Sequence, residues 1–179
     1  MKKIVTICLF IATMFEMNAQ SVSKFETFEG LSSLMDISFK KAESLIKENK
    51  YVLDEENGSE MNEDITFNTY NAIEEMRTIT IGTKKGIVVM AMMNFTGEIY
   101  SDEDDIDAGN KFAYKINTFK NALLKANYKL SKEDNDVDGW ETSFYSYKNK
   151  KIVVRKFKND LADFIIYKEE IESIIINNE

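Results

Sequence analysis

The chain repeats itself. Ser44-Leu45-Ile46-Lys47-Glu48-Asn49-Lys50-Tyr51-Val52-Leu53 returns later as Ala122-Leu123-Leu124-Lys125-Ala126-Asn127-Tyr128-Lys129-Leu130. Both read Leu-(Ile/Leu)-Lys-x-Asn-Tyr-x-Leu, with Lys50 as a one-residue insertion. At nearly the same offset, Thr66-Phe67-Asn68-Thr69-Tyr70 matches Ser143-Phe144-Tyr145-Ser146-Tyr147. Two matches in register point to one supersecondary unit used twice.

Each unit reads as a helix followed by three strands. The first helix is expected from about Leu31 to Asn49, with Leu34, Met35, Ser38, Ala42, Leu45 and Ile46 on one face. The second is expected from about Asn110 to Asn127, with a stripe of Phe112, Ile116, Phe119, Leu123 and Leu124. Asn49 and Asn127 stand where left-handed caps would end the helices. Aromatic and β-branched stretches mark strands at Trp140 to Tyr147, Lys151 to Lys158 and Leu161 to Lys168. Asp64 to Tyr70, Met76 to Ile81 and Gly86 to Met93 play the same parts in the first unit, with Gly82 to Gly86 as a turn. Ile87 to Met93 is apolar on both faces and suits a central strand covered on each side.

The fold class that follows is α+β: a tandem helix-plus-three-strand repeat forming an antiparallel sheet of about six strands, with two helices on one face. The expected organisation is a signal peptide over 1–20, a first unit over 21–100, an acidic linker over 101–109 and a second unit over 110–179, the two units combining in one globular domain. The tail from Ile171 to Glu179 carries Ile174-Ile175-Ile176 and fits a strand, a helix or a frayed end equally well.

The leader rests on Met1-Lys2-Lys3, an apolar run from Ile4 to Phe15 and a small-residue exit at Met17-Asn18-Ala19-Gln20-Ser21. About twelve apolar residues are too few to span a bilayer. Cleavage near Ala19-Gln20 would leave a periplasmic or secreted chain without a stable membrane span. It would also remove Cys8, the one cysteine of a chain with no His and no Pro. Nucleophilic and zinc chemistry that needs Cys or His is then excluded. The net charge of −8 over the whole chain repels nucleic acid and anionic lipid, and favours a basic protein, a cation or a neutral ligand.

Three sets of residues bear on function. Asp134-Asn135-Asp136-Val137-Asp138-Gly139 reads D-x-D-x-D-G, the front half of a calcium loop, so Asp134, Asp136 and Asp138 are candidate metal ligands and calcium the one cofactor in view. The pattern departs from the motif at its twelfth position, where Tyr145 replaces a bidentate Glu. Paired carboxylates could serve a hydrolase, but the repeat duplicates none of them, since Glu48 matches Ala126. The aromatics of the second unit are the third set. If Trp140 and Phe144 pack on the helix, Tyr145 and Tyr147 stand on the open side of the sheet with Arg155.

The order of elements, an exported tandem of helix-plus-antiparallel-sheet units, resembles the β-lactamase inhibitory protein architecture. The resemblance implies a protein-binding surface. The leading expectation is an exported, non-enzymatic, inhibitor- or immunity-like protein that binds another protein through Tyr145, Tyr147 and Arg155, with the aspartates at the rim. A calcium-stabilised envelope protein is the alternative, and a carboxylate hydrolase the third reading.

Overall fold

The computed structural model describes residues 24–55, 59–62, 64–73, 76–97, 108–135, 138–158 and 160–176. The expected leader, the acidic run 102–107 and Asp136 lie outside them. A 3₁₀ turn (Lys24–Glu26) leads into helices α1 (Phe28–Ser32) and α2 (Phe39–Glu48). Strands β1 (Tyr51–Leu53), β2 (Ser59–Asn62), β3 (Ile65–Ala72), β4 (Arg77–Lys84) and β5 (Ile87–Thr96) follow. Helix α3 (Ala108–Lys125) opens the second half, with β6 (Lys129–Asn135), β7 (Trp140–Tyr147), β8 (Lys150–Phe157) and β9 (Leu161–Lys168). A second 3₁₀ turn (Glu169–Ile171) and helix α4 (Glu172–Ile176) come last.

All nine strands belong to one antiparallel sheet, in the order β1-β3-β4-β5-β9-β8-β7-β6. The strand β2 pairs with β3 beside β1, so the two short strands share one edge. The expectation of about six strands and two helices is therefore overturned. Each half adds a strand after its helix, and the first adds β2 as well. The edge strand β6 gives no sequence signal because all seven of its residues are exposed. Its ladder to β7, not an alternating buried face, holds it in place. A bulge between Leu130 and Lys132 interrupts that ladder.

The last strands of the two halves, β5 and β9, meet at the centre from Met90↔Tyr167 to Thr96↔Leu161. Matched residues of the repeat then face the same way. Phe67 and Phe144 pack on one side, and Tyr70 and Tyr147 face the other. Lys50 and Asn127, both with φ 65, turn the chain out of each helix in the left-handed region. Asn49, with φ −94, does not. The inserted residue takes the turn in the first half. The turn between β4 and β5 is tighter than expected: β4 runs through Lys84, and Lys85 (φ 51) with Gly86 (φ 75) reverses the chain.

The first helix is also two pieces. Thr27 caps α1 by accepting from Gly30 N at 3.0 Å, and Ser38 caps α2 by accepting from Lys41 N. Between them, Asp36 adopts φ 64 and its N–H donates to the Val88 carbonyl, while Ser38 bridges Ile87. The start of β5 thus takes the hydrogen bonds that a continuous helix would have kept.

One face of the sheet is covered by α1, α2 and α3. There Phe119 stacks on Phe164 at 3.8 Å, and Phe95 meets Phe112 and Phe164 edge-on at 5.6 and 5.1 Å. These rings lie over the β5–β9 seam. Each fully buried one stabilises by roughly 1.5–3 kcal/mol. Beneath α3, Glu26 is buried with Arg77 Nε at 2.8 Å from one carboxylate oxygen and Lys115 Nζ at 3.0 Å from the other. The other face carries a smaller cluster: Ile65, Val89, Met90, Val153, Ile165 and Tyr167, covered by Ile171 and Ile174. The isoleucine-rich tail is therefore neither a strand nor a free end. It forms a 3₁₀ turn and α4 over one part of this second face.

Candidate functional site

Where α4 stops, the second face is open, and the register lines up its side chains across the strands. Thr142 of β7 lies opposite Arg155 of β8, Arg155 opposite Asp163 of β9, and Asp163 opposite Asn94 of β5. The row continues through Thr78 and Asn71 on one side and reaches Asp134 on the other. Its centre is Asp163, only 2% exposed. A buried carboxylate is tolerable only when its oxygens are bonded. Arg155 donates from Nε at 2.9 Å and from Nη2 at 2.7 Å to Oδ2, and Asn94 Nδ2 donates to Oδ1 at 2.6 Å.

This anchoring holds the guanidinium against Asp163, with a quarter of the Arg155 side chain still exposed. The guanidinium carbon lies 5.2 Å from the Trp140 ring, and Trp140 tilts against Phe157 at 5.4 Å. Phe144 stands one row away with Lys132 Nζ at 5.7 Å from its centroid. Trp140, Phe144 and Phe157 are each half-buried. The patch therefore offers held aromatic area around a held cation, and Arg155 and Asp163 neutralise each other.

The face expected for the tyrosines is reversed. Tyr145 is 4% exposed and belongs to the helix-side core, and Tyr147 faces the same way. Tyr145 lies opposite Ile152 and Ser143 opposite Val154, two core residues under the helices, so parity sends Trp140 and Phe144 to the open side. Burial raises the Tyr145 hydroxyl pKa above its usual value, the Glu133 charge adds to this, and a bond with Ser143 offsets part of it. Tyr147 is 38% exposed, tilted against Tyr128 at 5.5 Å, with Lys148 Nζ 5.1 Å over its ring. Arg155 alone of the three expected binding residues lies on the open face.

Of the three aspartates of the expected calcium loop, Asp134 and Asp138 are among the described residues. Asp134 sits within β6, and its carboxylate takes the ammonium of Lys132, which lowers its pKa. Asp138 is exposed in the turn beside Gly139, whose φ is +95, and Asp136 lies outside the described residues. Among the described residues no group of three His, Cys, Asp or Glu is placed to hold a metal ion. Sequence reasoning misses Asp163 and Asn94. The available signal is Asp163 itself, a lone charge inside the apolar run Leu161 to Tyr167.

Comparison with protein-family models, curated proteins and solved structures gives no match for this chain. Among the described residues, no helix is long and apolar enough to cross a membrane.

Proposed function

We propose that the protein is an exported, non-enzymatic binder that docks a basic partner protein on the open part of its second sheet face. The observation that supports this is Arg155, locked to the buried Asp163 and flanked by Trp140 and Phe157. Arg and Trp that are already ordered lose little freedom on binding, and such residues dominate interface energies. The partner's basic character follows from charge: this chain carries −8, and Asp134 and Asp138 stand at the rim of the patch. Complementary fields speed encounter and make it salt-dependent. Export follows from the leader pattern of the first twenty residues.

The test is capture from the exported fraction of native cells with wild type and with a Trp140→Ala variant, which leaves the Arg155–Asp163 pair intact, followed by identification of the retained protein. One basic protein, bound by wild type, weakened by salt and lost from a variant with an unchanged melting temperature, supports the reading. Equal retention by both forms, or a retained partner that is acidic, would sink it.

A further inference from the structure

A separate groove lies between α3 and the β6–β7 hairpin. Its volume is about 540 Å³, and Lys120, Glu133, Asn135, Trp140, Glu141 and Ser143 line it. Lys120 Nζ donates to Ser143 Oγ at 2.8 Å, and Ser143 Oγ donates in turn toward Glu133 Oε1 at 3.5 Å. Ser143 is buried, while Lys120 is only half-buried. An ammonium and a carboxylate are thus held one hydroxyl apart. Among the described residues, neither Lys120 nor Glu133 has an oppositely charged group within ion-pair distance. Their neighbour Glu141 differs, being paired with Lys156 at 3.1 Å.

Two opposite charges that face one groove without meeting each other suit a ligand that carries both. A plain anion would meet Glu133 and the −8 field of the chain. A plain cation would meet Lys120. A group with a carboxylate and an ammonium on one carbon satisfies both ends and brings no net charge. Charge-assisted hydrogen bonds are the strong ones, and the contact at the half-buried Lys120 counts for more than that at the exposed Glu133. We propose that this groove binds a free zwitterionic α-amino acid, its carboxylate on Lys120 and its ammonium on Glu133. Asn135, Gly139 and Trp140 complete the lining at the hairpin end. The groove adjoins the docking patch at Trp140 and Thr142, so Lys120→Met and Glu133→Gln, which leave Trp140 and Arg155 in place, separate amino-acid binding from partner docking.

The experiment is thermal unfolding of the full chain with each of the common amino acids, and with N-acetyl and methyl-ester forms of those that bind. At a hundredfold excess over Kd, an authentic ligand should raise the melting temperature by roughly 5 °C or more. The acetylated form, which loses the ammonium, and the ester, which loses the carboxylate, should each leave it unchanged. Lys120→Met and Glu133→Gln should each weaken binding at least tenfold by calorimetry. No shift with any amino acid, equal shifts with the blocked forms, or binding that survives both substitutions would overturn the proposal. The blocked forms test it on the unaltered protein, so the outcome does not depend on how the variants fold.

Discussion

Tyr70 in β3 and Tyr147 in β7 occupy matching places in the repeat, and they live in different surroundings. Tyr70 is fully buried, and its hydroxyl has no hydrogen-bond partner among the described residues. Tyr147 is 38% exposed under the Lys148 ammonium. The open face divides the same way. On the first half it shows Thr69, Asn71, Thr78 and Thr80, with the hydroxyls of Thr69 and Thr80 paired at 3.0 Å. On the second half it shows Trp140, Phe144 and Phe157, each beside a Lys or Arg. The two halves share a frame of strands and a direction for each side chain, while the residues on that frame have diverged. One half supplies a hydroxyl-lined wall, and the other supplies aromatic rings set beside cations.

The comparison breaks or holds first at the two tyrosines. Tyr70→Ala should cost about 3–5 kcal/mol of unfolding free energy, the usual cost of emptying a buried ring site. Tyr147→Ala should cost less than about 1 kcal/mol. Denaturant unfolding of both variants measures the gap, and similar losses would show that the halves are packed alike. Next comes the link between them: Glu26 joins Arg77 of the first half to Lys115 of the second. Glu26→Gln leaves two cations without their buried counter-charge, and a loss of ~3 kcal/mol is expected from the same measurement.

A smaller tie crosses the halves at Asp36. Lys150 and Lys168 both reach its carboxylate, at 2.7 and 2.8 Å, and hold its pKa below the usual 3.8. Its contribution is complete above the ordinary carboxylate pKa and disappears as pH falls through the lowered value. Because the group is half exposed, less than about 1 kcal/mol is at stake. Asp36→Asn should flatten that part of the acid limb in a pH series of melting temperatures. The smallest effect is at the Tyr70 hydroxyl, which burial and then the nearby Glu43 charge push up to about 12. Stability from this group is full below 10 and declines as pH rises toward the folded value. Tyr70→Phe should change stability at neutral pH by no more than about 1 kcal/mol, since the hydroxyl has no bond to lose among the described residues, and should flatten the alkaline limb.

Much of the frame is legible in the sequence because burial leaves a period. The six stretches rich in aromatic and β-branched residues are β3, β4, β5, β7, β8 and β9. The missing strands carry no such period: β6 is exposed throughout, and β1 is three residues long. The break between α1 and α2 is hidden because Leu34 and Met35 continue the apolar stripe without a Gly or Pro. The break is made by a long-range bond, Asp36 to Val88. The face of Tyr145 is obscured for a related reason. From Trp140 to Tyr147 there are aromatics on both faces, so alternation alone does not say which is inside. The partners Ile152 and Val154 decide, and they lie in another strand. At the candidate site, Arg155 stands out as a charge in a strand, but the carboxylate that holds it becomes visible only with the register.

The bulged, lysine-bearing strand at one margin of the sheet has a consequence for how the molecule behaves in company. A long open sheet exposes unpaired amides at both margins and invites other chains to add on, which is the route to fibres. Here Lys129, Lys132 and the kink at Ser131 spoil one margin as a template, and splitting the other between two short strands denies it a continuous row. Both margins are thus poor templates for an added chain, although the sheet is not closed into a barrel.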